Sequence, residues 1–137
     1  DGEDDPSKIK NLIKLATQYP KHIITANRLQ RNESYFLRCV NFVRLCITYL
    51  ITGKYIDFGN YTTFHSSNLR NLLSNSSTWL AYSSAVLKNC KNVKPYYIKK
   101  SKRYFGKSKV SFNFLIKHSI NIILVFKREI FTRLSII

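Results

Sequence analysis

Apolar residues recur at helical spacing along most of this chain and alternate only near its end. In residues 7–18, Ile9, Leu12, Ile13 and Ala16 share one face, while Lys8, Lys10 and Lys14 lie off it. The spacing predicts a helix capped by Ser7 and stopped at Tyr19 and Pro20, because the residue before a proline is pushed out of the helical region. A short second helix is expected over 22–31, ending in Arg28 and Arg31. The widest apolar pattern covers 33–52. There Phe36, Val40, Val43, Ile47 and Leu50 form one stripe, and Cys39, Phe42, Cys46 and Tyr49 a second beside it. Arg38, Asn41, Thr48 and Thr52 are left as a narrow polar remainder. So broad an apolar surface predicts an amphipathic helix at the centre of the core, closed by Gly53 as a C-cap.

Beyond it, residues 54–65 read as an aromatic-rich connector with a turn at Gly59 and Asn60. Ser66 and Ser67 can cap a short helix to Leu73, and Ser76 and Ser77 a second from Thr78 to about Lys88. Trp79, Leu80 and Leu87 would face inward in that helical hairpin. From Val110 the period becomes two: Val110, Phe112, Phe114 and Ile116 alternate with Ser111, Asn113 and Lys117. A β-branched and apolar run follows over 120–126. Together they predict β-hairpin-like strands over 110–126. The tail 128–137 fits either a helix or a strand. The expected fold is therefore α+β and mainly helical. An acidic disordered tip (1–6) precedes a single small domain (7–137), with an extended arm at 88–109.

Charge changes this picture most. Four of the seven acids, Asp1, Glu3, Asp4 and Asp5, lie in the first five positions. The other 132 residues set 23 Lys and Arg against Glu33, Asp57 and Glu129, a formal +20 compared with +16 for the whole chain. No acid occurs between Asp57 and Glu129. Such self-repulsion calls for a polyanionic partner, most often a nucleic acid backbone.

The charge concentrates in residues 88–109, KNCKNVKPYYIKKSKRYFGKSK. Nine of these are basic: Lys88, Lys91, Lys94, Lys99, Lys100, Lys102, Arg103, Lys107 and Lys109. Tyr96, Tyr97, Tyr104 and Phe105 are interleaved, and Pro95 and Gly106 interrupt regular structure. Ammonium groups neutralise phosphates, and aromatic rings stack on unpaired bases. The segment is thus the candidate RNA-binding arm, extended by Arg28, Arg31 and Arg70. The same chemistry suits anionic lipid headgroups.

Nothing in the sequence suggests catalysis. His22, His65 and His118 are scattered, and no metal-ligand spacing, nucleotide loop or nucleophile motif occurs. Neither an enzyme nor a bound cofactor or metal is expected. Glu33 and Asp57 are expected to pair with nearby Lys or Arg. Cys39, Cys46 and Cys90 form no CxxC, and free, packed thiols are expected. The longest stretch without Lys or Arg within 33–52 is eight residues, 45–52, well short of the ~20 a membrane span needs.

Asn, Ile, Lys, Tyr and Phe make up 60 of 137 residues, the set that A/T-rich codons encode. Met is absent even at position 1. The expectation is a processed chain or a fragment, encoded by an A/T-rich genome that is either organellar or that of an A/T-rich protist. In size, charge and basic arm the chain resembles an organellar ribosomal or ribosome-associated protein. That resemblance implies a structural role on ribosomal RNA beside neighbouring ribosomal proteins, in the mitochondrial matrix or, second, a plastid. Two rival readings are an accessory subunit of a mitochondrial inner-membrane complex and a DNA-binding helix-turn-helix over 66–88.

Overall fold

A computed structural model describes residues 4–29, 35–99, 106 and 111–135. Among these the chain is mixed α+β and mainly helical, with seven helices and one three-stranded sheet. The helices are α1 (Ile9–Gln18), α2 (Tyr35–Thr52), α3 (Leu69–Leu73), α4 (Ser77–Leu80), α5 (Tyr82–Asn89), α6 (Phe112–Val125) and α7 (Lys127–Leu134). The strands are β1 (Ile23–Arg28), β2 (Thr62–Phe64) and β3 (Val93–Ile98). β1 is central. It runs antiparallel to β2, with Ile23 opposite Phe64, and parallel to β3, with Ile23 opposite Val93 and Arg28 opposite Ile98.

The second helix expected over 22–31 is instead this central strand. Ile23, Ile24 and Thr25 are β-branched, and packing on both sides buries the strand from Ile23 to Asn27. With both faces covered, alternation disappears, so the run reads equally well as a buried helix. Its polar members are satisfied internally. Thr25 donates from Oγ1 to Asn27 Oδ1 at 2.7 Å, and Asn27 donates from Nδ2 to Asp57 Oδ1 at 2.8 Å. Asp57 is thus held by an amide rather than by the Lys or Arg expected.

α1 covers one sheet face through Leu12 and Ala16, which pack with Ile24, Ala26 and Ile98. Ile9 and Ile13, expected on that face, are exposed; half-buried Leu15 and Tyr19 take their place. Ser7 is not the cap. Asp5 caps a short 3-10 turn (Pro6–Lys8) that leads into α1, accepting from the Ser7 amide at 2.9 Å and the Ser7 hydroxyl at 2.8 Å. These bonds hold the Asp5 carboxyl below its ordinary range. Asp4 accepts a forked pair of bonds from Arg28 at 2.8–2.9 Å. The end of the acidic tip is therefore tied into the fold.

The opposite sheet face, Ile23 with Phe58, Leu72 and Val86, packs α3 and α5. A third cluster joins Ile56, Ala81, Ile122, Val125 and Phe126. The helix predicted from Thr78 to about Lys88 breaks at Ala81, which is extended (φ −153°, ψ 100°) and buried. The break turns Trp79 outward, 78% exposed, where the pattern predicted it inside. His65 rather than Ser66 or Ser67 caps the turn before α3, its Nδ1 accepting from the Ser67 amide at 3.3 Å.

Of the strands expected over 110–126, Val110 lies outside the described residues and 111–126 form none; α6 occupies most of them. Ser111 caps it by accepting from the Phe114 amide at 3.2 Å. Leu115, His118, Ser119, Ile122, Val125 and Phe126 recur at three and four residues on its covered side. The alternation over 110–116 is too short to outweigh this longer helical period. Lys127–Leu134 of the tail form α7, and residues 136–137 lie outside the described residues.

α2 is not the core's centre. Among the described residues it contributes to none of the three clusters, and of its described side chains only Leu45, Thr48 and Thr52 are buried. Asn41 and Arg44 are half-buried, while Phe36, Phe42, Val43, Ile47, Tyr49 and Leu50 are exposed. Apart from exposed Arg38 the polar stripe faces in, and apart from half-buried Val40 the apolar stripes face out, the reverse of the orientation expected for a core helix. Thr52 donates to the Thr48 carbonyl at 2.7 Å, and Arg44 donates to Asn41 Oδ1 at 2.9–3.1 Å. Gly53 closes α2 at φ +69°, a conformation that favours glycine, and the Arg133 guanidinium of α7 lies so close that a Cβ there would collide with it.

His118 lies on the covered side of α6, stacked on Phe114. Burial pushes its imidazole below the ordinary value of 6.5, and the Arg44 charge adds to the effect. The folded chain therefore takes up this proton less readily than the unfolded chain. The stability associated with His118 is complete above pH 6.5 and declines as pH falls through the lowered value. Replacing His118 with Gln should flatten the acid side of a stability–pH profile measured by denaturant titration. An identical acid slope in the variant would place the sensitivity in other groups.

Candidate nucleic-acid interface

The basic segment does not begin as an extended arm. Lys88 and Asn89 end α5, and residues 93–98 are the edge strand β3, paired to β1. Pro95 suits an edge, where one side of the strand needs no ladder partner. The chain leaves the sheet at Ile98 and Lys99. Lys100, Lys102, Arg103, Tyr104, Lys107 and Lys109 lie outside the described residues, as does Arg31.

Strand pairing sorts the remaining candidates by face. Lys94, Tyr96 and Ile98 share the face that α1 covers, since Ile98 and Tyr96 both pack with that cluster. Lys94 places its ammonium 3.5 Å from the centre of the Tyr19 ring, and Tyr19 meets His22 edge to face at 5.6 Å. Tyr96 accepts through its hydroxyl from Asn11 Nδ2 at 3.1 Å. Both are half-buried in the seam between α1 and β3. Tyr97 points to the other face and is 58% exposed. Lys91 and Lys99 are exposed, and so is Arg70 on α3.

Three of the candidate cations serve the fold. Lys88 donates to the Val125 carbonyl and lies 3.3 Å from Glu129 Oε2, joining α5 to the α6–α7 corner. Arg28 is held by Asp4. Lys94 is stacked on Tyr19. Replacing Lys88 with Met keeps the aliphatic stem and removes the ammonium. The change should cost ~1–2 kcal/mol in denaturant unfolding, because a buried carbonyl loses a charged donor. It should leave the salt dependence of RNA binding intact, and a reduced dependence would return Lys88 to the interface.

No family model, curated protein or solved structure matches this chain. The site therefore stands on its own geometry. Spacing alone did not reveal α1 as part of it. The helix lies on the same sheet face as Lys94 and Tyr96, and its Lys10 and Lys14 are exposed. Their displacement from the apolar positions of α1 was the available signal.

The helix-turn-helix reading fails on burial. Its second helix, α5, has Ser83, Ser84, Ala85 and Val86 all buried, and a buried helix cannot enter a groove. Among the described residues no group of three or more His, Cys, Asp or Glu is placed to hold a metal ion. Cys39 and Cys46 are free and exposed rather than packed; Cys90 is half-buried, and burial pushes its thiol up. Among the same residues no helix is long and apolar enough to cross a membrane.

Proposed function

We propose that this chain is a structural, non-enzymatic RNA-binding component of an organellar ribosome, acting in the mitochondrial matrix. One observation carries the reading: 71 consecutive residues between Asp57 and Glu129 contain no acid, and within them nine cations and four aromatic rings fall in residues 88–109. An RNA backbone offsets such a charge, and unpaired bases take up the rings. β3 adds support by anchoring the first half of the segment to the sheet edge, so that the cations from Lys99 onward start from a fixed point. Tyr97, Lys91, Lys99 and Arg70 face solvent and extend the surface. The apolar outer side of α2 suits a chain that has neighbours in an assembly. The same outer side is what the inner-membrane subunit reading draws on.

The deciding experiment is fractionation of tagged full-length protein from detergent-solubilised organelles. On this proposal the chain sediments with ribosomes, and ribonuclease releases it. Co-migration with a membrane complex, unaffected by ribonuclease, would replace the ribosomal reading with its rival.

A further inference from the structure

The outer side of α2 is apolar over most of its length. Between Arg38 and Tyr49 its exposed positions are Cys39, Phe42, Val43, Cys46 and Ile47, with no hydroxyl, amide or charge among them. α6 shares the arrangement in part: Phe114, Ile116, Ile120 and Leu124 are exposed, along with Asn113 and Lys117, while His118 and Ser119 are half-buried. The two sides meet at an open cleft of about 190 Å³, which Val43 and Ile47 of α2 and Ile123 of α6 line together with Arg44, Thr48 and Ser119.

We propose that this joined face is a docking surface for an anionic lipid bilayer, lying in the interface without crossing it. Three observations select lipid over a protein partner. First, the hydroxyls on the covered sides of both helices are bonded within their own helix; Ser119 donates to the Leu115 carbonyl at 2.8 Å, as Thr52 does to Thr48, while the exposed polar side chains are Arg38, Asn113 and Lys117. A protein interface carries about one hydrogen bond per 100–200 Å², and between Arg38 and Tyr49 the α2 part of this face offers almost nothing to make them. Hydrocarbon asks for none. Second, the charges on these helices are all basic: Arg38, Arg44 and Lys117, with no acid in residues 35–52 or 112–125. Lys54, Lys127 and Arg128 follow at the helix ends and are exposed. Such a distribution suits anionic headgroups around an apolar contact. Third, Tyr35, Tyr49 and Tyr55 are exposed at the two ends of α2, where amphipathic rings sit well at headgroup level. This surface shares no residue with the basic segment and does not depend on RNA binding.

Cys46 allows a direct test. In full-length protein with Cys39 and Cys90 changed to Ser, an environment-sensitive fluorophore on Cys46 is mixed with RNA-free vesicles. These are phosphatidylcholine alone or phosphatidylcholine with phosphatidylglycerol. The proposal expects a blue shift and quenching by spin-labelled acyl chains, with binding at least tenfold stronger to the anionic vesicles. The double change Phe42→Asp and Leu50→Asp, at two exposed positions, should weaken that binding tenfold or more while circular dichroism stays unchanged. A label that remains water-exposed on vesicles overturns the proposal. So does a label shielded without lipid in a concentration-dependent way, which would make the occupant a second copy. If the double variant unfolds, the acyl-chain quenching of the parent decides alone.

Discussion

Changing Phe126 to Ala should destabilise the chain by ~3–5 kcal/mol, the usual cost of emptying a buried aromatic site. Phe126 is 1% exposed and packs with Ile56, Ala81, Ile122 and Val125. It stands where α6 ends and α7 begins, so its ring ties that corner to the connector and to the break between α4 and α5. Its backbone amide donates to the Ile122 and Ile123 carbonyls at 3.3 and 3.1 Å, and those bonds survive the substitution. The loss therefore isolates the ring. A small domain has only ~5–15 kcal/mol in total, so the variant should be near its threshold at ordinary temperature. The measurement is the urea midpoint, with an unchanged slope showing that the unfolded state is the same. A shift below ~1 kcal/mol would mean that the site collapses around the gap, and that α6 is held by other contacts.

The second large effect concerns RNA. Affinity for structured RNA should fall steeply with salt, and changing Lys99, Lys100, Lys102 and Arg103 together to Ala should lower the log–log slope by about 3. Each lost phosphate contact removes a little under one unit. These four carry the prediction because the pattern identifies them as arm cations, and Lys99, the one among the described residues, is exposed. Lys88, Arg28 and Lys94 would be poor choices, since each has an intramolecular partner that mixes stability with binding. The check is filter binding of wild-type and quadruple variant across a salt series. An unchanged slope, or a wild-type curve flat with salt, would remove the segment from the interface.

How much of this was legible beforehand differs by element. α1 and its stop at Tyr19 were, because a strong apolar period and a proline act locally. The α2 span and Gly53 were legible for the same reason. β1 was not: a run of five buried residues has no period to read. α6 was missed because four alternating positions at its start outweighed, in the reading, a helical period that becomes clear only over fourteen residues. Within the candidate site, the pattern of charge and rings was visible, but the division of its cations was not. Whether Lys88 meets Glu129 depends on a separation of 41 residues that no local pattern encodes.

By itself the sequence determined the charge asymmetry, the absence of catalytic motifs and the presence of most helices. These follow from composition and from forces acting within a few residues. Tertiary structure alone decided which side of each helix is covered, and here the physical reason is competition for a limited interior. Sheet, α1, α3, α5 and the α6–α7 corner fill the three core clusters with their own apolar side chains. α2 is left to pack through Leu45 and its polar stripe, with Thr48, Thr52 and Arg44 bonding locally at little cost. Its apolar stripes then face outward. Periodicity shows that a helix has two sides, and only the packing of the whole chain settles which one is buried.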